Sequence, residues 1–513
     1  MPDIVFRANL EAKSLPLLSE LQGRTVIVKG QDQNYIPQAV VKEQADKNIG
    51  IAQVFYAHNV LPTTYGYQSV GYESIVSAVS AVTTFTSVHI LRDDSGNRAH
   101  MGVTSDGRLF ILNPSTSAWV EKTAPAGIAG KMVTTAYVSG TTYIYFATKG
   151  CYVYTFSSGL FTSTTLTGLT ASAILGIVGS KGYLVAYSID TVAWSATTNP
   201  ELFTPSSLTG AGSGSPEGTQ GTIVVAVEVY GGFLLFTTAN CVAATYSGNP
   251  RYPFNFESVT GAGGLNSEQY VSYDVNSGSV YAYTTSGLQQ IGLRTATTIF
   301  AEVTDFLSGA KFEDLDETTR TLSTSIVSYI PLKRLHVIAS RYLVISYGTA
   351  TVLTHALVYD LVLQQFGKLK AEHIDCFEFQ LYSQNTYETP KKSFAIMKNT
   401  GQIYIVNSDV GYSSSSGVII LGRFQFVRSR LLILEGVELE NAGEGSIECY
   451  TLPSMDGKTL STPVAGYDDT PSGAADTLKV YRFHDTALNH SIYVKGSFNL
   501  TTLLLTFLVG GSR

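Results

Sequence analysis

The sequence predicts an all-β protein: a β-propeller of six to eight blades with an N-terminal segment before it and a C-terminal β-sandwich-like domain after it. Three observations predict this. Charged residues make up only 14% of the 513-residue chain, against about 25% in ordinary domains, and Ser, Thr, Gly and 31 Tyr fill the deficit. Thr, Tyr, Val and Phe suit a pleated, half-buried surface, and with 44% apolar residues the balance excludes disorder and coiled coil. From about residue 85, short β runs alternate with turn residues, and similar features recur roughly every 35 to 45 residues. After about residue 415 the runs lengthen and alternate polar with apolar residues, as in a sandwich of about 95 residues.

The expected division is 1–84 as an N-terminal docking segment, 85–415 as the propeller and 416–513 as the sandwich-like domain. The first segment reads as irregular and poorer in strands than the rest of the chain. It has a helical candidate at 16–21 opening on Pro16, a strand candidate at 24–29 and a helix at 37–47. In the first repeat unit three runs are legible, 100–103, 108–112 and 118–121, where a blade needs four. The second holds 131–138, 143–148 and 151–156, with Ser139-Gly140 and Lys149-Gly150 as turns. The third, 173–178, 182–188 and 192–195, leads into a Pro, Thr, Gly and Ser-rich loop over 199–221. The fourth holds 223–230, 233–237 and 241–246. Less regular units occupy 270–292, 334–359 and 374–406, which brings the total to about seven. Between the fifth and sixth, 311–320 (KFEDLDETTR) is the densest charge run and reads as a solvated helix or loop. A serine-rich linker at 413–417 precedes the sandwich runs 418–425, 429–439, 446–450, 478–483 and 491–494. A propeller is preferred to a single large sandwich because small twisted sheets packed around a ring cover each other's faces and leave only short edges.

With 33 basic and 40 acidic residues, the charge of −7 argues against a surface that coats nucleic acid. Cys151, Cys241, Cys376 and Cys449 are far apart and read as free, buried thiols. The start MPDIVFRANLEAK is unlike a secretory leader, and the uncharged stretch 150–180 is too often interrupted by Ser, Thr and Gly to span a membrane as a helix.

No catalytic, cofactor or metal site is expected. Gly212-Ser213-Gly214 lacks the strand-turn-helix context of a nucleophile elbow, 210–214 lacks the Lys-Ser/Thr of a phosphate loop, and the eight histidines show no ligand spacing. Trp119 and Trp194 are expected in blade cores. Basic residues cluster at Lys391-Lys392 and at Arg423, Arg428 and Arg430 near the start of the sandwich, where Arg428 and Arg430 would share a sheet face; a solvated face or intersubunit ion pairs are expected, and nucleic-acid contact less readily.

Several motifs carry a resemblance: Trp194-Ser195, Asn199-Pro200, Phe203-Thr204-Pro205, the glycine run 210–214, Gln220-Gly221, Tyr246-Ser247-Gly248-Asn249-Pro250 with Phe254, and Gly261-Ala262-Gly263-Gly264. Ala57-His58-Asn59, Pro62, Tyr65-Gly66-Tyr67 and Gly422-Arg423-Phe424-Gln425 add to it. Over roughly residues 55–440 the chain resembles the nozzle or tail-tube structural proteins of short-tailed bacteriophages. The resemblance implies a virion protein assembled in the host bacterial cytoplasm that forms a homo-oligomeric ring, a hexamer, around the DNA exit. It also implies attachment to adaptor, portal-proximal or other tail proteins, passage of genomic double-stranded DNA without sequence-specific binding, and no membrane insertion of its own. The chain is shorter than the better-known members and lacks a match to their N-terminal segments. A conduit should not trap phosphates, so acidic Glu313, Asp314, Asp316 and Glu317 are candidate channel-facing residues, with Arg423, Arg428 and Arg430 as candidate channel or interface cations. The loop 210–221 is a candidate gate or intersubunit element. The alternative reading is a host-glycan-binding or depolymerising tail protein on a propeller scaffold.

Overall fold

The computed structural model describes residues 3–10 and 26–28 and, from 49 to 509, all but 53, 64–65, 80–83, 94, 114–115, 275–276, 301–302, 304–313, 317–320, 324–331, 349–351, 382–390, 408–416, 427–430, 441–446, 455–461, 471–477 and 501. The fold is all-β. Helical structure among these residues is limited to short turns such as Ala171–Ala173 and Glu268–Tyr270.

Among the described residues seven antiparallel sheets, six of four strands and one of seven, succeed one another along the chain. Sheets 1 to 5 are meanders of four consecutive strands covering 85–122, 133–164, 176–214, 223–258 and 271–298. Sheet 6 is built on four strands over 332–373, and sheet 7 on three over 375–407. The turns arise from local chemistry. Between the first two strands of sheets 2 and 3, Ser139-Gly140 and Lys181-Gly182 both have positive φ, the backbone that tight hairpins with the right twist require. At the end of the second strand a hydroxyl caps the next turn: Thr104 accepts from the Arg108 N–H (2.8 Å), Ser188 from Thr191 (3.1 Å), Thr237 from Asn240 (2.9 Å) and Thr284 from Ser286 (3.1 Å). The same device thus recurs in sheets 1, 3, 4 and 5.

Burial explains how the sheets relate. Middle strands such as Tyr183–Tyr187 and Gly232–Thr237 are buried at every position, so both of their faces are covered. Outer strands such as Ala118–Lys122 and Leu160–Thr164 are mostly exposed. The covering comes from the neighbouring sheets. Leu91 and Met101 of sheet 1 pack with Ile144 and Phe146 of sheet 2, and Tyr145 of sheet 2 with Leu184 of sheet 3. Tyr187 of sheet 3 packs with Phe233 of sheet 4, and Leu234 of sheet 4 with Val280 of sheet 5. Leu288 of sheet 5 packs with Leu335 of sheet 6, Val344 of sheet 6 with Ile396 of sheet 7, and Met397 of sheet 7 with Phe85 of sheet 1. The first strands touch in the same succession, and that of sheet 7 returns to that of sheet 1. Each fully buried large side chain contributes about 1.5–3 kcal/mol, so every gap is a cohesive core.

The N-terminal strands are distributed among distant partners. Asp3–Leu10 pairs with Thr502–Val509, and Val54–His58 with Gly417–Phe426, so both main sheets of the C-terminal region are completed from the start of the chain. Val60–Thr63 joins the edge of sheet 6, and Gly71–Val76 supplies the fourth strand of sheet 7.

Several expectations are corrected. The segment before residue 84 is not poor in strands: between 49 and 76 five occur in quick succession, each too short and too interrupted to stand out in the sequence. The strand candidate at 24–29 contains Val26–Val28, while the helix candidates at 16–21 and 37–47 lie outside the described residues. Within the 199–221 loop, Gly212–Gly214 is the fourth strand of sheet 3, and Trp194 donates to the Gly210 carbonyl (3.0 Å). A Cβ at Gly212 would sit 2.7 Å from the Trp194 ring, which is why a glycine strand fits there. Residues 212–214 thus belong to sheet 3 and not to a free loop. In the charged run, Asp314–Asp316 pairs as a strand with Thr321–Ser323 and is neither helix nor loop.

Candidate functional site

Two constellations concentrate the chemistry of the described residues. The first lies where sheets 6, 7 and 1 meet. Asp375 opens the first strand of sheet 7, Arg334 and His336 lie on that of sheet 6 (Leu332–Ile338), and Thr86 and Val88 on that of sheet 1 (Phe85–Arg92). Arg334 donates to Asp375 Oδ2 (2.8 Å) and to the Thr86 carbonyl (2.7 Å), and the Val88 N–H donates to the same carboxylate oxygen (3.0 Å). His336 Nε2 lies 2.9 Å from Asp375 Oδ1. Burial alone would push the Asp375 carboxyl up, but Arg334, His336 and the Val88 N–H outweigh it and hold the group well below the usual carboxylate range. Arg98 of sheet 1 pairs with Glu378 of sheet 7 across the same joint.

Beside this network, His373 Nδ1 bonds the Ala371 carbonyl (2.7 Å), which leaves Nε2 to accept from Ser346 Oγ (2.8 Å). The same hydroxyl lies 3.4 Å from Cys376 Sγ. The arrangement has the outline of a nucleophile and base, yet Ser346 and Cys376 are both 0% exposed and burial pushes the thiol up to about 12. A substrate has no access to either, so the group serves packing. His89, His100 and His373 are each lowered to about 4 by burial, so all three are neutral at neutral pH.

The second constellation is a cavity of about 700 Å³ at the ends of the first strands of sheets 1, 3, 4 and 5. Arg92, Lys181, Glu228, Tyr230 and Tyr273 line it with Ser180 and Ser277. Tight turns put these residues there: Lys181 opens the Lys181-Gly182 turn, and Glu228 and Tyr230 flank the end of Ile223–Val229. The Lys181 ammonium sits 4.8 Å from the Tyr230 ring centroid, and Tyr230 is still 84% exposed. Glu228 is open to solvent through the mouth but crowded by the concave wall. That desolvation raises its carboxyl to about 7 against the opposing pull of Lys181.

Of the residues singled out in the sequence, Asp314 and Asp316 lie in the short hairpin and Arg423 in the strand Gly417–Phe426, while Glu313, Glu317, Arg428 and Arg430 lie outside the described residues. Sequence reasoning missed Arg334 with Asp375 and Arg92 with Glu228 because each pair is far apart in the chain and obeys no local spacing. The recurrent strand-end turns were the one available signal, since they place their residues at one end of successive sheets. The four cysteines are free and buried, Trp194 is buried, and half-buried Trp119 packs on Phe85 and donates to the Gly401 carbonyl (2.7 Å). Among the described residues no group of His, Cys, Asp and Glu could hold a metal ion, and no helix is long and apolar enough to cross a membrane.

No family model matches the chain, and no curated protein is similar to it. Among solved structures, the extracellular domain of a putative hybrid two-component system from B. thetaiotaomicron is similar at 12% identity and a TM-score of 0.37, over 74% of this chain and 47% of that one. The chain thus spans about half the length of that structure.

Proposed function

We propose that the chain is a structural protein of a bacteriophage tail, a nozzle or tail-tube component, and that its seven sheets form a seven-bladed β-propeller closed by Gly71–Val76. One observation carries the reading. Each sheet buries its faces against the next, the seventh returns to the first, and the Arg98–Glu378 ion pair spans that closing joint while Arg334 ties sheet 6 to Asp375 of sheet 7 and to the Thr86 carbonyl of sheet 1. Such a body resists deformation, because opening any joint exposes an apolar core and opening the last one also strands charges. Rigidity of this kind suits a wall around a passage under load.

On this reading six copies ring the exit channel in the virion and attach to adaptor and neighbouring tail proteins. Acidic side chains outnumber basic ones along the lumen, so that phosphates are not held by counterion release. The chain performs no catalysis in this role. Imaging of the native particle tests it: a sixfold ring of this chain around the channel is the expected result, and its absence from the tail overturns the reading. A host-glycan-binding tail protein is the second reading, favoured by exposed Tyr230 beside Glu228 in a sugar-sized cavity.

A further inference from the structure

The cavity at the strand ends is built within one chain, so what it binds can be argued apart from any ring. Arg92 comes from sheet 1, Lys181 from sheet 3, Glu228 and Tyr230 from sheet 4, and Tyr273 from sheet 5, so four sheets converge on one space. Neither Arg92 nor Lys181 makes an ion pair within 4 Å among the described residues, although Arg92 feels both Arg98 and Glu378. Among the described residues the only acid in the lining is Glu228, whose carboxyl feels the pull of Lys181. Two cations against one carboxylate leave the concave wall with an excess of positive charge, which favours an anion. Tyr230 offers an aromatic surface of which 84% is accessible, and the exposed Ser277 hydroxyl lies at the rim, while Ser180 is buried in the wall. The volume falls in the range of small-ligand pockets, about 300–1,000 Å³.

We propose that this cavity binds an anionic sugar, with its acid group between Arg92 and Lys181 and its ring against Tyr230. The acid is a carboxylate or a phosphate. Occupancy depends on pH through Glu228, because a protonated carboxyl bonds a sugar hydroxyl without repelling the ligand, whereas the carboxylate competes with it for the cations.

Calorimetric titration of the full chain with glucuronate, glucose 6-phosphate, glucose and inorganic phosphate tests the proposal. Saturable binding of either sugar acid, with glucose and inorganic phosphate each at least about tenfold weaker, is expected, and the tighter acid identifies the headgroup. Arg92→Gln and Lys181→Gln should each weaken it by roughly tenfold with the melting midpoint unchanged, since both side chains project into the open mouth. Binding should weaken severalfold between about pH 6 and about pH 8.5, and Glu228→Gln should flatten that dependence. Equal affinity for glucose, inorganic phosphate binding as tightly as the sugar acids, or no saturable binding would each overturn the proposal.

Discussion

Asp375 shows how one residue is held by three sheets. Its carboxylate is buried and takes hydrogen bonds from Arg334 and the Val88 N–H. Asp375→Ala would leave the Arg334 guanidinium, only 9% exposed, without its counter-charge, and such losses cost about 3–5 kcal/mol. Denaturant unfolding should register that drop; a change within about 0.5 kcal/mol would mean that the joint does not depend on the pair. The buried histidines set an acid limit. His89, His100 and His373 fall from 6.5 to about 4 on folding, so the stability they contribute is intact above about pH 6.5 and is lost as pH falls toward 4. Asp375, also depressed, adds its own loss only below the ordinary carboxylate value of 3.8. Unfolding midpoints measured at neutral pH and at about pH 5 should therefore already differ, with the acid sample less stable; equal midpoints would contradict neutral burial of these rings.

At the scale of elements, the closing joint also depends on shape. The Phe85 ring lies between Gly102 of its own sheet and Gly401 of sheet 7, where an added Cβ would come within 2.6 and 2.5 Å of it. Phe85→Ala should cost about 3–5 kcal/mol, read by the same unfolding assay. Removing residues 1–10 should be worse than its length suggests, because it uncovers the edge of Thr502–Val509; the truncated chain is expected to aggregate, and a monomer of unchanged melting midpoint would show that the pairing is dispensable. The inner strands were legible in the sequence because they are apolar and bounded by turn pairs such as Ser139-Gly140. The outer strands Leu160–Thr164, Gly212–Gly214 and Ala296–Thr298 were not, since they are largely exposed and their Ser, Thr, Ala and Gly read as loop. The pairing of Gly71–Val76 with Ile403–Asn407 was invisible for another reason: nothing in either segment encodes a partner more than 300 residues away.

For the whole molecule, the repeat count of about seven drawn from spacing and turn chemistry coincides with the seven small sheets. Of the candidate site, only the strand-end turns that frame it were legible. Arg334, Asp375, Arg92 and Glu228 are ordinary strand residues until the succession of sheets brings them together. The central claim is that these sheets close on themselves into a rigid wall for a tail passage. Electron cryo-microscopy of the native particle tests it most directly. The expected image shows six copies around the tail channel, each a wheel of seven sheets with residues 71–76 as the outer strand of the last. Particles whose channel is walled by another protein, or subunits whose first and seventh sheets stand apart, would contradict it.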